Sequence, residues 1–191
     1  MRRHFIMPDT QIKPNQSIDH LSWAGHYCVE MLPDVIVLLG DWWDFPSLSS
    51  YDVGKMSFEG RNYQDDITAG NDGLALFMEP ILKEVKRRKK GKRKHWNPEL
   101  VFLEGNHEYR IQRAIETDRK LEGLMGLHDT NLKEMGYETI PFLEVKVVDG
   151  VAYSHYFTSG IMGRPVTSAR ALLTKKHMSC IMGHVQHRDI C

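Results

Sequence analysis

The stretch that most constrains this chain is Asp34-Val-Ile-Val-Leu-Leu-Gly-Asp41-Trp42-Trp43-Asp44. A run of β-branched and aliphatic residues without polar alternation reads as a strand buried on both faces, Val35 to Leu39. Such strands belong to sheets covered on each side, so the chain must supply layers above and below this one. The glycine and carboxylate that follow sit just outside the strand's carboxyl end, where α/β sheets place their ligands. Gly-Asp is also ordinary turn punctuation, so the reading depends on whether the same design recurs.

It does recur. Arg2 to Met7 reads as a short strand running into Pro8-Asp9-Thr10-Gln11, and Leu100-Val-Phe-Leu103 as a buried strand running into Glu104-Gly-Asn-His-Glu108. Val151 to Tyr156 reads as a strand with His155 near its end, and Ser179-Cys-Ile-Met182 as one running into Gly183-His184-Val185-Gln186-His187. Five apolar runs thus end in a metal-ligand type: Asp9, Asp41, Asn106, His155 and His184. Taken singly, each has a plain structural explanation: a turn cap, a helix N-cap, a satisfied core histidine. The conjunction favours a site. Glycine before three of these residues lets the backbone turn sharply and approach a ligand closely.

Between the strands the pattern is helical. Ile18, Leu21, Ala24, Cys28, Met31 and Leu32 follow helix spacing up to Pro33. A long helix is expected from about Asp65 into the basic tract, with a kink at Pro80. Another follows Glu108, with Ile111, Ala114 and Ile115 on one face, and a short one covers Ala169 to Lys175. Residues 119–136 read as one or two short helices broken by glycines, and Phe142 to Tyr156 as a hairpin turning at Asp149-Gly150. Phe45 to Gly60 is a polar loop longer than most connections, as functional loops beside ligand positions often are.

At 191 residues the chain reads as a single domain, 1–191. No apolar run approaches the ~20 residues of a membrane span, and the N-terminal apolar stretch is too short for a signal peptide. Three widely spaced cysteines, Cys28, Cys180 and Cys191, show no metal-type spacing, which fits a reducing, cytoplasmic setting. Formal charge is zero, yet Lys86 to Lys94 holds eight basic residues, so the remainder is net acidic by eight. That tract is either a nucleic-acid patch or a solvated helix end.

The five strand ends, in this order, resemble the calcineurin-like metallophosphoesterase superfamily. Its pattern is Asp-x-His, Gly-Asp-x-x-Asp, Gly-Asn-His-(Glu/Asp), an isolated His, and Gly-His-x-His. The matches are Asp9, Gly40-Asp41-Trp42-Trp43-Asp44, Gly105-Asn106-His107-Glu108, His155 and Gly183-His184. Pro8-Asp-Thr-Gln-Ile-Lys-Pro14 and Ser154-His-Tyr156 also look like small phage-encoded members. The resemblance implies an α/β fold: a central β-sandwich of two mixed sheets flanked by helices, in α/β/β/α order. It implies hydrolysis of phosphomonoester or phosphodiester bonds by a water activated between two divalent metal ions about 3.5–4 Å apart, which also neutralise the phosphate. Asp41 would bridge the metals; Asn106, His155 and His184 would complete one, and Asp9 would help to hold the other. His107 would be the general acid or a phosphate donor, oriented by Asp44.

The departures are informative. Both imidazoles expected at the first metal are replaced by amides, Gln11 and Gln186, with His187 a possible substitute one residue on. An oxygen-rich first site suits Mn²⁺ foremost, or Mg²⁺, with Zn²⁺, Ni²⁺ or Fe as other occupants of the pair. Asp44 is followed by Phe45-Pro46 rather than by the arginine of phosphoprotein phosphatases, so a nucleotide or nucleic acid is the expected substrate. Arg110, one helical turn from His107, is the leading candidate to grip substrate phosphate, ahead of Arg61 and Arg164. Of Trp42 and Trp43, one is expected in the core and one against substrate. The competing expectation is a non-catalytic binding or scaffold protein whose first metal site has decayed; the retained His107 and Asp44 argue against it.

Overall fold

The computed structural model describes residues 2–91 and 94–191. It is a mixed α/β fold with strands β1 (His4–Met7), β2 (Val35–Leu38), β3 (Glu99–Leu103), β4 (Glu138–Ile140), β5 (Lys146–Val148), β6 (Val151–Ser154), β7 (Thr158–Ser159), β8 (Arg164–Pro165) and β9 (Cys180–Met182). The helices are α1 (Asp19–Met31), α2 (Tyr63–Lys90), α3 (Tyr109–Thr117), α4 (Leu132–Met135) and α5 (Ala169–Lys176). Four strands form one sheet in the order β1-β2-β3-β4, parallel throughout. A second sheet, β5-β6-β9, is mixed: β5 pairs antiparallel and β9 parallel with β6. The expected pair of mixed sheets is therefore one parallel and one mixed sheet, because α1 and α2 carry the chain back between β1, β2 and β3.

β2 is buried along its whole length, as its unbroken apolar run demands. Its side chains alternate between two cores. Ile36 and Leu38 join Phe5, Met7 and Phe102 against Leu21 and Cys28 of α1 and Leu74, Phe77 and Ile81 of α2. Val35, Val37 and Leu39 join Val101 and Leu103 against Val148, Val151, Tyr153 and Ile181 of the second sheet. That sheet's outer face, Ala152, Cys180 and Met182, packs on Ala171 and Leu172 of α5. The layers therefore run helices, parallel sheet, mixed sheet, helix. Each fully buried Val, Leu or Ile adds roughly 1.5–3 kcal/mol, so β2 anchors both cores at once.

α2 has matched ends. The Asn62 side chain accepts from the Asp65 N–H at 2.8 Å, acidic Asp65 and Asp66 occupy the first turn, and Arg87 to Lys90 the last. The helix runs through Pro80. Gly25 of α1 packs there, and a Cβ at Gly25 would fall 2.7 Å from the Pro80 ring. Helix α2 runs into the basic tract, as the sequence spacing predicts: it ends at Lys90, and Arg87 and Arg88 both hold Glu84, while Lys92 and Arg93 lie outside the described residues.

Three local expectations differ. Glu138–Ile140 forms the edge strand β4, where the sequence reading placed no strand. Pro141–Glu144 is a turn, closed by the Glu144 N–H on the Pro141 carbonyl at 3.0 Å, so the hairpin strand starts only at Lys146. Phe45 to Gly60 contains two short 3-10 turns, tied down where Arg61 donates to the Pro46 carbonyl and Asp52. No described helix is long and apolar enough to cross a membrane.

Candidate metal centre

The carboxyl ends of β1, β2, β3, β6 and β9 deliver Asp9, Asp41, Asn106, His155 and His184. Parallel pairing of the strands within each sheet sends those ends the same way, and packing of the two sheets brings the two rims together. The backbone there is unusual. Asp9, Gln11, Asp41 and His184 all have positive φ, 47° to 66°. Asp and His tolerate this region better than most residues, Gln less so. Left-handed conformations concentrated at one rim indicate that surrounding structure imposes them.

Glu108 supplies much of that constraint. Its fully buried carboxylate accepts the backbone N–H groups of Asp41 (2.8 Å), Trp42 (2.8 Å), Trp43 (3.1 Å) and Gly105 (2.8 Å). One side chain thus ties the turn after β2 to the turn after β3. Burial, then the Asp41 charge, pushes the Glu108 carboxyl up to about 7, against the opposing pull of the Gly105 and Asp41 N–H donors. The glycines before the ligands now have a steric reason. A Cβ on Gly105 would lie 2.1 Å from Asp41 Oδ1, and one on Gly183 2.7 Å from Asp9 Oδ2. The ligand of one loop lies where the neighbouring loop's side chain would be.

The ligating atoms of Asp41, Asn106 and His155 face one another. His155 Nδ1 lies 2.6 Å from the Leu39 carbonyl, so it carries a hydrogen and turns Nε2 inward. Nε2 then meets Asn106 Oδ1 at 3.0 Å and Asp41 Oδ1 at 3.4 Å. Ligand atoms of Asp41, His155 and His184 fall within 4.8 Å of one another. Lone pairs aimed at lone pairs in a buried place are unfavourable unless a cation stands between them, either a proton on Nε2 or a metal ion. The donor set, two imidazoles, one carboxylate and one amide oxygen, fits a divalent transition metal. Burial works against the charged forms of both Asp41 and His155. Their mutual hydrogen bond and attraction outweigh it, holding Asp41 below and His155 above the ordinary values. Burial and the His155 charge lower His184.

His107 lies beside this cluster. Its Nδ1 is 2.9 Å from both the carboxylate Oδ1 and the carbonyl oxygen of Asp44, and its backbone N–H donates to Asp41 Oδ1 at 2.9 Å. Its Nε2 is 3.6 Å from Asp41 Oδ2 and accepts from Arg110 at 3.1 Å. Arg110 also donates to the Asp44 and Phe45 carbonyls at 2.7 and 3.2 Å. The arginine expected to meet substrate is thus bound to the site's own loop.

The glutamine side is built differently. Asp9, Gln11, Gln186 and His187 line one cleft of about 600 Å³ with Lys13 and Arg188. Asp9 receives the His184 backbone N–H on both carboxylate oxygens, at 2.9 and 2.8 Å. Burial raises the Asp9 carboxyl, against the opposing pull of the His155 charge and the His184 N–H. Gln186 and His187 are exposed.

Trp42 and Trp43 are both buried, at 1 % and 0 % exposure, so neither can stack on substrate. The chain leaves strand geometry at Asp41, so alternation no longer sends neighbours to opposite sides. Their indole N–H groups instead face the α2 carbonyls of Gly70 (3.0 Å) and Ile67 (3.4 Å). The role of Glu108 was not legible beyond its place in the Gly-Asn-His-Glu motif, since its partners are backbone groups of a turn 65–67 residues earlier. Comparison with protein-family models, with curated proteins and with solved structures returns no match.

Proposed function

We propose that this chain is a metal-dependent phosphoesterase of the calcineurin-like metallophosphoesterase type, with the layered arrangement of its sheets and helices as that family's sandwich. The observation that carries the reading is the convergence of buried Asp41 and His155 with half-buried Asn106 and His184. These residues would hold one divalent ion; Asp9, Gln11 and Gln186, with Asp41 shared, would hold a second, weaker one. Bound ions of this kind neutralise phosphate charge and lower the pKa of water. The chain's own residues bind and orient. Glu108 holds the Asp41 turn, and Asp44 fixes the His107 imidazole through Nδ1, leaving Nε2 toward the reacting group. A phosphate that draws the Arg110 N–H from Nε2 frees that atom to hold a proton for the departing oxygen. Nucleotides or nucleic acids are the substrate class, in keeping with the basic end of α2.

The second reading, a non-catalytic binding protein on this fold, draws on the exposed, imidazole-poor glutamine side. Turnover of p-nitrophenyl phosphate and bis-p-nitrophenyl phosphate, each with Mg²⁺, Mn²⁺, Zn²⁺ and Ni²⁺, separates the two. Hydrolysis of either ester, greatest with Mn²⁺ and lost in His107→Ala, is expected. Metal binding without turnover under every condition would leave the binding protein.

A further inference from the structure

A row of aromatic rings extends outward from the metal ligands. Tyr156 lies 4.7 Å from His184 between ring centroids, and Phe142 meets Tyr156 edge-on at 5.5 Å. Tyr109 stacks on Phe142 at 4.8 Å with an interplanar angle of 26°. All three side chains are half-buried, unlike Trp42 and Trp43, so this wall keeps open surface.

The wall is put together from three rim segments. Tyr109 starts α3, two residues past His107, and Tyr156 follows His155 directly. Phe142 is the second residue of the Pro141–Glu144 turn after β4. The third residue, Leu143, has φ 68° and is 44 % exposed. Leucine is poorly suited to that conformation, and little packing of its own offsets it. Its neighbour Phe142 lies between Tyr109 and Tyr156. Arg113, one turn along α3 from Arg110, is exposed. Among the described residues it has no carboxylate within salt-bridge distance.

We propose that Phe142, backed by the stacked Tyr109 ring and met edge-on by Tyr156, is a stacking platform for the nucleobase of a nucleotide whose phosphate sits at the Asp41–His184 centre, with Arg113 as a further cation for that phosphate. What lies beside the base rests on the phosphoesterase reading; the platform itself stands on the ring geometry. A flat π-face next to a cation suits any nucleobase, so pairing specificity is not required and both purines and pyrimidines fit.

The test is isothermal titration of the full chain with Mn²⁺ and two non-hydrolysable ligands, thymidine 5′-methylenephosphonate and its base-free deoxyribose counterpart. The base should tighten binding by about tenfold or more, the range that stacking on an aromatic ring supplies. Phe142→Ala should erase that preference and leave the base-free affinity unchanged, while Phe142→Trp should keep it. Equal affinity for the two ligands, or a preference that survives Phe142→Ala, would overturn the platform. Hydrolysis of bis-p-nitrophenyl phosphate, which carries no base, is measured in parallel. Its absence alongside a base preference would remove the catalytic reading and keep the platform; its presence without a base preference would do the reverse.

Discussion

The two ends of the same strands use the same residue types to opposite effect. At the amino ends, His4 Nε2 lies 2.8 Å from Asp149 and its Nδ1 2.6 Å from the Tyr153 hydroxyl. Arg2 holds Glu99 at 2.5 Å and Asp149 at 3.4 Å. Each acceptor there has a donor. At the carboxyl ends, His155 Nε2, Asn106 Oδ1 and Asp41 Oδ1 crowd together, with the His107 backbone N–H on Asp41 Oδ1 and a single imidazole nitrogen facing both oxygens. Histidine and aspartate make one-to-one donor–acceptor pairs at one rim, and at the other a cluster in which two side-chain oxygens share one imidazole nitrogen. Metal-ligand residue types are therefore weak evidence alone; the balance of donors and acceptors around them is what marks a site.

The comparison can be broken at its strongest point first. Asp41→Asn should lower Mn²⁺ affinity by more than about a hundredfold, since even groups that only orient ligands cost 10–100-fold, and should abolish hydrolysis. Thermal stability without metal should fall only slightly, because Asn keeps an acceptor for the His107 N–H and loses only the attraction to His155. Unchanged metal affinity, or a large loss of metal-free stability, would make the carboxyl rim a structural network like the other. Glu108→Ala comes next: it leaves four backbone N–H groups without their acceptor, at a cost of about 3 kcal/mol or more. For a chain of this size that lowers the melting temperature by about 6–12 °C, and metal affinity should fall with it.

Saturating Mn²⁺, about a hundred times its Kd, should stabilise the chain by about 2.7 kcal/mol and raise its melting temperature by about 5–10 °C. Anomalous scattering should then place the ion among Asp41, Asn106, His155 and His184; density only beside Gln11 and Gln186 would reverse the assigned order. Gln186→His should raise bound metal toward two ions per chain.

The smallest effect belongs to the amino rim. The His4 hydrogen bond, then attraction from Arg2 and His4, holds the Asp149 carboxyl below its ordinary range. A depressed carboxyl stabilises the fold above its unfolded pKa, about 3.9, and loses that contribution as pH falls through the lower folded value. Asp149→Asn should therefore lower the melting temperature by a degree or two at pH 7. The gap to the unsubstituted chain should close in acid, with metal binding unaffected. A gap that persists below the folded value, or any change in metal affinity, would count against treating this rim as a purely structural clasp.

Much of the frame was legible. The unbroken apolar run of β2 forces covered faces on both sides, and two cores take up its alternate side chains. Strand ends carrying Asp9, Asp41, Asn106, His155 and His184 could be read locally, because strand, glycine and polar residue are neighbours in the chain. β4 was not legible: three residues at a sheet edge give too short a pattern. Nor were the burial of both Trp42 and Trp43, or the engagement of Arg110 by the Asp44–Phe45 backbone. Those depend on the left-handed turn at Asp41 and on what α2 and α3 bring beside it.

By itself, then, the sequence determined which elements form and which chemistry stands at their ends, since both follow from short-range periodicity and residue type. Only the tertiary structure decided that these ends meet, and that two side-chain oxygens crowd one imidazole nitrogen where they do. The His155 ring is set by a carbonyl 116 residues away and faces an amide 49 residues away. Parallel pairing and sheet packing bring such groups together, and no periodicity in the chain encodes whether a donor will stand between them.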